Sequence, residues 1–302
     1  MKGIRNTFAD CHPAVNFLWA VLVLAGSLWL RHPACLAVSL GCALVWYVRQ
    51  SGRPGGSFVL RVLLPLLALT AALNPLFSHR GETILGYFPG GNPLTLESVL
   101  YGLSAGAVLV TCILWFAGLT RVLTADKFIV LFGRAAPSLS LLLSLTVGLV
   151  PRFRRRLARI REGQRALGRG TPEDGVLRRA RRGLQEMSIL MTWSLESSVQ
   201  LADSMHSRGY GLPGRTSYDP RPMTGRDRDA VCVLAVLSAL LLGLAGRGAL
   251  RWQYYPSAGG AGISAESVTA LLCYLAVCAF PMELDLWESL LWKTNERRKG
   301  AV

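Results

Sequence analysis

Residues 94–118 read LTLESVLYGLSAGAVLVTCILWFAG, a run of 25 residues in which Glu97 is the single charged side chain. A helix needs about 20 predominantly apolar residues to cross the hydrocarbon core of a bilayer. The run is long enough to do so, and Glu97 stands near its start, at the outer edge of the apolar part. This stretch therefore predicts a membrane-spanning α-helix.

Further apolar runs lie on both sides of this one, at residues 15–30, 33–48, 57–77, 230–245 and 267–280. The first two are a little short, and only Arg31 and His32 separate them, so they predict a tight helical hairpin with tilted or locally thinned ends. The third is followed by a predicted loop rich in glycine and proline at 78–93. The chain is thus predicted to be an all-α integral membrane protein with about six transmembrane helices.

The placement of charge supports the same class and sets an orientation. The 302 residues are 51% hydrophobic with a mean hydropathy of +0.36, yet 33 Lys and Arg stand against 18 Asp and Glu. If all six runs cross and the amino terminus is inside, 29 of these cations are cytoplasmic, which satisfies the positive-inside rule. We predict a multi-pass protein of the plasma membrane with both termini in the cytoplasm. The four cations left outside are Arg31, Arg80, Arg247 and Arg251.

The segment at 119–228 is too long to be a connecting loop and must have structure of its own. The predicted division of the chain is an N-terminal membrane domain at 1–118, cytoplasmic coupling helices at 119–228, and C-terminal membrane helices with a cytoplasmic tail at 229–302. The basic residues are concentrated in the middle part, away from the apolar runs. This separation favours a membrane protein over one that binds nucleic acid.

Two long helices are predicted within that middle part, and we expect them to cross. The first has an apolar start at 138–150, expected near the membrane surface, and continues with a kink at Pro151 into an arginine-rich stretch. A loop at 168–175 precedes the second helix, at 176–208. One stripe of the second helix carries apolar and small residues at helical spacing, which we interpret as ordinary helix packing. The stripe consists of Met187, Leu190, Met191, Ser194, Ser198, Leu201, Ala202 and Met205.

No catalytic pattern is present in the sequence. The four histidines are scattered, the seven cysteines form no C-x-x-C pair, and no Walker-type phosphate loop is found. The sequence therefore predicts no metal site, no cofactor and no ATP hydrolysis by this chain. What remains are the ends of the two long helices. The second ends in Arg208 and Gly209: the cation suits the negative end of the helix dipole, and glycine suits the left-handed position just past the helix.

Three stretches carry a resemblance to a known family. Residues 202–216, ADSMHSRGYGLPGRT, resemble the second Arg-Gly signature of the T component of energy-coupling factor transporters, the CbiQ-like family. Residues 74–81, NPLFSHRG, resemble that family's loop after an early span, and 140–168 resemble its long helix with the first signature. The resemblance covers most of 57–216.

The resemblance implies a non-catalytic scaffold that couples two ABC-type ATPases to a substrate-binding membrane S component, for vitamin or metal-ion uptake. It implies docking of the ATPases through two short segments. The first signature of the family is usually Ala-Arg-Gly, but Leu167 stands here in place of the arginine, so either a flanking arginine substitutes or the contact is mainly apolar. The implied docking residues are Ala166, Leu167, Gly168, Ser207, Arg208 and Gly209, with Arg165 and Arg169 as auxiliary candidates.

Two other functions stay open on the sequence alone. One is a membrane-embedded lipid-modifying transferase that holds anionic head groups with the arginines of 152–182. The other is a structural or regulatory membrane protein that binds lipid or nucleic acid through the same stretch. Beyond the membrane lipid itself, the predicted partners are the two ATPases and the S component, without nucleic acid.

Overall fold

The computed structural model describes residues 7–78, 81–87, 93–133, 137–168, 175–213, 222–260, 262 and 264–299. About 81% of the chain is helical, which confirms the predicted all-α class. The helices are α1 (Thr7–Asp10), α2 (Pro13–Trp29), α3 (Pro33–Ser51), α4 (Arg53–Phe58), α5 (Leu64–Phe77), α6 (Leu96–Val122), α7 (Ala125–Gly133), α8 (Pro137–Ala166), α9 (Val176–Ser207), α10 (Gly225–Gly246) and α11 (Ala265–Lys299). A five-residue π-helix, Val59–Leu63, joins α4 to α5.

Within the described residues, five helices are long and apolar enough to cross a membrane: Pro33–Ser51, Gly55–Phe77, Leu96–Val122, Gly225–Gly246 and Ala265–Glu288. The remaining predicted span corresponds to α2, an apolar helix of 17 residues that is shorter than the others. The predicted runs and the observed helices therefore agree in place. The last helix runs on past the predicted span to Lys299. Pro281 lies inside α11 and, although it lacks a backbone donor, does not end the helix.

Short strands interrupt two of the connections. β1 (Ile84–Tyr87) pairs antiparallel with β2 (Pro93–Thr95), and β3 (Trp252–Gln253) pairs with β4 (Gly259–Gly260). The first strand lies within the stretch predicted as a loop, and the amide of Leu96 also donates to the carbonyl of Thr83 at 3.0 Å. Pairing satisfies backbone groups that an open loop leaves to the solvent.

The chain divides into two compact units. Unit 1 comprises Met1–Thr124 and Arg221–Val302, and unit 2 comprises Ala125–Pro220. All five candidate spans and α2 belong to unit 1, whereas α7, α8 and α9 form unit 2. The three-part division predicted from the sequence, which concerns function, stays a prediction.

The first two long helices of unit 1 begin in the same way. His12 and His32 each precede a proline at the first helical position, and each accepts a hydrogen bond at Nδ1. The donors are the backbone amides of Ala14 at 3.2 Å and Ala34 at 3.3 Å. An N-cap acceptor followed by proline starts a helix efficiently, because proline has the required φ and lacks an amide that would be unsatisfied there.

An aromatic cluster occupies the centre of unit 1. Trp19, Trp46 and Trp115 come from α2, α3 and α6, with ring centroids 5.1–5.5 Å apart. Phe8 of α1 meets Trp19 edge-on at 4.9 Å, and Phe280 of α11 lies 6.4 Å from Phe8. Aromatic side chains bury about 150–250 Å² each, so this cluster ties five helices into one core.

Buried hydrogen bonds connect the same helices across long sequence separations. Trp19 Nε1 donates to the carbonyl of Val277 at 2.8 Å. The Ser27 hydroxyl lies 2.9 Å from the hydroxyl of Ser39 and 3.1 Å from that of Tyr274. Polar groups away from water need partners of this kind, so the bonds specify which helices are neighbours.

Small residues bring α5 and α6 close together. A Cβ on Gly102 would come within 3.0 Å of the carbonyl of Ala71, and one on Gly106 would collide with the hydroxyl of Thr70. The two glycines are four residues apart and share one face of α6. Close packing over glycine is the usual way in which membrane helices associate, because lipid offers no hydrophobic driving force between them.

Three connections of unit 1 meet at one end, which we call the tyrosine end. The hydroxyl of Tyr254 donates to the carbonyl of Arg31 at 2.9 Å, so the α10–α11 connection is joined to the α2–α3 turn. Asn74 near the end of α5 donates to the hydroxyl of Tyr255 at 3.4 Å. The opposite end contains the bond from the amide of His12 to Asp227 at the start of α10, 3.1 Å long.

Candidate docking site on the paired helices of unit 2

The two long helices of unit 2 pack against each other as an antiparallel pair. Ile160 of α8 and Leu190 of α9 are both buried. On one side of them Arg161 Nε donates to Glu186 Oε2 at 2.9 Å. On the other side Arg156 donates to the backbone carbonyl at position 193, 3.3 Å away. The partner number on α9 rises as the number on α8 falls, which is the signature of opposite directions.

The helix α8 is unbroken across Pro151, where the sequence predicted a kinked continuation. Near its start the hydroxyl of Ser140 donates to the carbonyl of Ile129 at 3.0 Å and so joins α7 to α8. At the proline, Arg155 Nε donates to the carbonyl of Pro151 at 3.3 Å. The apolar and arginine-rich halves therefore belong to one helix.

The first predicted docking segment is the end of α8. The helix ends at Ala166, and the amide of Leu167 still donates to the carbonyl of Gly163 at 3.2 Å. Gly168 has φ +72°, a conformation that favours glycine, and its amide donates to the carbonyl of Arg165 at 2.9 Å. The Leu167 side chain is 71% exposed, so this end presents an apolar tip.

The second predicted docking segment ends α9 in a complete Schellman motif. The amide of Gly209 donates to the carbonyl of His206, and that of Tyr210 donates to the carbonyl of Met205, both at 3.0 Å. Gly209 has φ +80°, as the motif requires. Arg208 is exposed immediately before it. Because the backbone here is closed by its own hydrogen bonds, the arginine stands on a defined rather than a frayed helix end.

The structure brings the residues of each segment together but keeps the two segments apart. Measured along the helix axes at 1.5 Å per residue, Ala166 lies about 9 Å beyond Ile160, and Ser207 lies about 26 Å beyond Leu190. Since the helices run in opposite directions, the two ends face away from each other. The arrangement suits two separate contacts rather than one composite site.

A basic cavity of about 330 Å³ lies beside the first segment, between α8 and α9. Arg165, one of the auxiliary candidates, is in its wall, whereas Arg169 lies outside the described residues. The resemblance did not assign the two arginines from α9 to docking, although their i, i+3 spacing places Arg179 and Arg182 on one helix face. The lining residues are Arg161, Gln164, Arg165, Arg179, Arg182, Gly183 and Glu186.

The apolar stripe predicted on α9 is only partly buried. Only part of it is used for packing, because Leu190 is buried whereas Met187 and Met191 are exposed, the latter by 65%. Together with further exposed neighbours at helical spacing these side chains form a continuous surface that we call the α9 stripe. It consists of Leu184, Met187, Met191, Leu195 and Val199.

Groups of three or more potential metal ligands are absent from the described residues. The one carboxylate in the lining of the basic cavity, Glu186, accepts from Arg161. The geometry of unit 2 is thus that of a binding surface, with two capped ends, a basic cavity and an exposed apolar stripe.

Comparison with known proteins identifies two relatives, although no protein-family model matches the chain. The chain is 26% identical over 200 residues to the energy-coupling factor transporter transmembrane protein EcfT of Bacillus subtilis (strain 168), which covers 61% of this chain and 74% of that protein. It is 30% identical over 117 residues to the protein of the same name from Streptococcus thermophilus (strain ATCC BAA-250 / LMG 18311), covering 38% of this chain and 44% of the relative.

The chain is similar to transmembrane proteins named EcfT.

This likeness agrees with the apolar helices of unit 1, and the two together support a multi-pass membrane protein. The names of the relatives describe a transmembrane component of an energy-coupling factor transporter, which supports a general role of this chain in transport.

Proposed function

We propose that this chain is the non-catalytic coupling subunit of an energy-coupling factor importer. Its two docking segments bind a pair of ABC-type ATPases, and its helices transmit their movement to a membrane S component that carries a vitamin or metal ion. The proposal places the chain in the plasma membrane with both termini cytoplasmic. The observation that carries it is the pair of exposed, capped helix ends on one antiparallel helix pair in an EcfT-like chain.

The two docking contacts differ in chemistry. Arg208 ends α9 with a guanidinium that matches a carboxylate on the ATPase, and Gly209 behind it allows close backbone approach. At the end of α8, Leu167 enters an apolar groove, while Arg165 and the basic cavity beside it receive an acidic side chain. The cavity thus supplies the cations that the missing signature arginine would have provided.

Transmission of movement needs the two ends to be linked. The ion pair of Arg161 with Glu186 and the hydrogen bond from Arg156 to the carbonyl of Trp193 hold α8 and α9 together. When the ATPases close on ATP, a displacement at one end is passed through this contact to the other helix. Hydrolysis itself belongs to the partner ATPases.

The α9 stripe is the proposed contact for the S component. An exposed row of Leu, Met and Val on a helix is costly in water unless another surface covers it. Methionine adapts to differently shaped partners, which suits a surface that follows a moving subunit. The stripe and the docking end at Arg208 would then bind different partners through different parts of α9.

The test is affinity purification of the full chain in mild detergent from its native membrane, with identification of every associated protein. Arg208→Glu is expected to lower ATPase recovery at least about tenfold, since it replaces a charge-assisted bond with repulsion. Arg154→Glu, an equal charge change at an exposed site within α8, should leave recovery unchanged. Unchanged ATPase recovery with Arg208→Glu would contradict the role of this end. A chain that binds anionic head groups in the basic cavity and associates with no ATPase would favour the transferase instead.

A further inference from the structure

A second cavity, at the tyrosine end of unit 1, is unrelated to the docking ends. It measures about 350 Å³ and lies between the α2–α3 turn and the segment that follows α10. Volumes of this size are typical of small-ligand sites. Its lining consists of Trp29, Leu30, Arg31, Ala245, Gly246, Gly248, Leu250, Arg251 and Trp252.

Two guanidinium groups converge on this cavity from separate parts of the chain. Arg31 and Arg251 are exposed, and within the described part of the chain neither has a carboxylate within ion-pair distance. Each follows a buried leucine, Leu30 or Leu250, which anchors the backbone beneath it. Two unneutralised cations at one cavity indicate an anionic ligand.

The loops that hold the arginines are fixed to each other. The carbonyl of Arg31 accepts from the Tyr254 hydroxyl at 2.9 Å, and the ring of His32 lies edge-on to that of Trp252 at 5.3 Å. The amide of Arg251 donates to the carbonyl of Gly248 at 3.1 Å, where the chain turns with φ +85°. Little ordering is left to occur on binding, so the site is preorganised.

Trp252 also lines the cavity, next in sequence to Arg251. A phosphate is small enough for this volume, and its oxygens can accept from both guanidinium groups at once.

The surroundings favour a lipid over a soluble anion. Trp29 is 63% exposed at the end of α2, a position typical of tryptophan at a membrane interface. Leu28 on α2 and Leu240 and Leu242 on α10 are also exposed, so apolar surface lies within two helical turns of the lining residues along the chain.

In the orientation proposed above, the tyrosine end lies on the outer side of the membrane. The positive-inside rule leaves four cations on that side, and two of them, Arg31 and Arg251, line this one cavity. We propose that Arg31 and Arg251 form a binding site for the phosphate of an anionic phospholipid head group at the tyrosine end of unit 1.

The test uses the full chain, purified in detergent and titrated with phosphatidylglycerol or phosphatidylcholine by native mass spectrometry. Arg31→Gln/Arg251→Gln should weaken phosphatidylglycerol binding about thirtyfold. Each arginine near an anionic lipid surface contributes about 1 kcal/mol, or about fivefold in affinity, and the two contributions add. Phosphatidylcholine carries a choline cation beside its phosphate, so it should bind the wild type more weakly and lose less affinity in this variant. The matched control is Arg247→Gln, since Arg247 lies between the lining residues but faces Glu266 at 3.9 Å instead.

Folding and ligand source are checked with two further arms. Arg31→Lys/Arg251→Lys retains both charges and should keep phosphatidylglycerol affinity within about threefold, while Arg251→Gln alone should weaken it about fivefold. Equal affinity in the wild type and the double glutamine variant, or equal loss in Arg247→Gln, would overturn the site. Displacement of phosphatidylglycerol by equimolar inorganic phosphate would overturn the lipid as its ligand.

Discussion

Gly118 lies on the face of α6 that packs against α3, directly opposite the indole of Trp46. A Cβ at this position would collide with the Trp46 ring, which is itself packed against Trp19 and Trp115. The ring therefore has no free direction in which to retreat. Gly26 stands in the same relation to Tyr274, where a Cβ would lie 2.7 Å from the ring.

Gly118→Ala is expected to destabilise the protein by about 1–3 kcal/mol, the usual cost of overpacking a well-filled core. The measurement is the thermal unfolding midpoint in detergent. Gly243→Ala, on α10, is the matched control because no atom lies within 4 Å of the added Cβ there. A midpoint in Gly118→Ala equal to that of the control would show that the ring can move aside.

Single contacts of this kind are beyond prediction from the sequence. The apolar run at 94–118 ends in Gly118, but the sequence does not indicate that the opposing surface is Trp46, because that residue belongs to another run. The same holds for the basic cavity, where Arg165 was singled out by its neighbours in sequence and Arg179 and Arg182 were not. Which arginines share a cavity depends on the packing of α8 on α9.

The starts and ends of the helices were far more predictable. The second long helix was predicted at 176–208 and is observed as Val176–Ser207, because Gly175 and Gly209 bound it by local backbone chemistry. The continuation through Pro151 was also expected, although α8 shows no break there. Packing was expected for the whole predicted stripe at 187–205, but Met187 and Met191 are exposed. Helical spacing shows that residues share a face but not what covers it.

The cap of α3 predicts a pH dependence. Burial lowers the pKa of His32, and its Nδ1 accepts from the amide of Ala34 only while it is unprotonated. The unfolded chain therefore takes up the proton more readily than the folded chain. Stability is full above the ordinary histidine value of about 6.5 and is lost as the pH falls below it.

The expected loss is about 1 kcal/mol, the typical value of an N-cap. It is measured as the unfolding midpoint in detergent at about pH 7 and about pH 5. His32→Asn retains a cap acceptor that does not titrate. The unfolding midpoint of this variant should therefore fall less between the two pH values than that of the wild type. Parallel slopes in the two proteins would mean that other groups cause the dependence.

At the scale of the whole molecule, the helices of unit 1 are joined by buried hydrogen bonds and an aromatic cluster. Unit 2 instead carries exposed docking ends and the exposed α9 stripe. If the α9 stripe binds the S component, a charge in its centre should release that partner and leave the ATPases bound. Met191→Glu is therefore expected to lower S-component recovery at least about tenfold with ATPase recovery unchanged, because a buried unpaired carboxylate is costly at an interface.

Val176→Glu is the control for this variant, since Val176 is exposed on α9 about two turns before the first stripe residue, Leu184. Both proteins are analysed by the same co-purification from native membrane. Loss of the ATPases together with the S component would indicate that Met191→Glu disturbs α9 as a whole. Retention of the S component by Met191→Glu would show that the α9 stripe does not bind this partner.

The hydrogen bond between Trp19 and Val277 has a consequence for biogenesis. The two residues are 258 positions apart, and the entire segment of unit 2 is synthesised between them. At a translation rate of about 5–20 residues per second, the indole of the first long helix waits roughly 13 to 50 seconds for its acceptor. Until α11 leaves the ribosome and inserts, the indole N–H of Trp19 lacks its acceptor. An insertase or chaperone has that interval in which to bind the earlier helices.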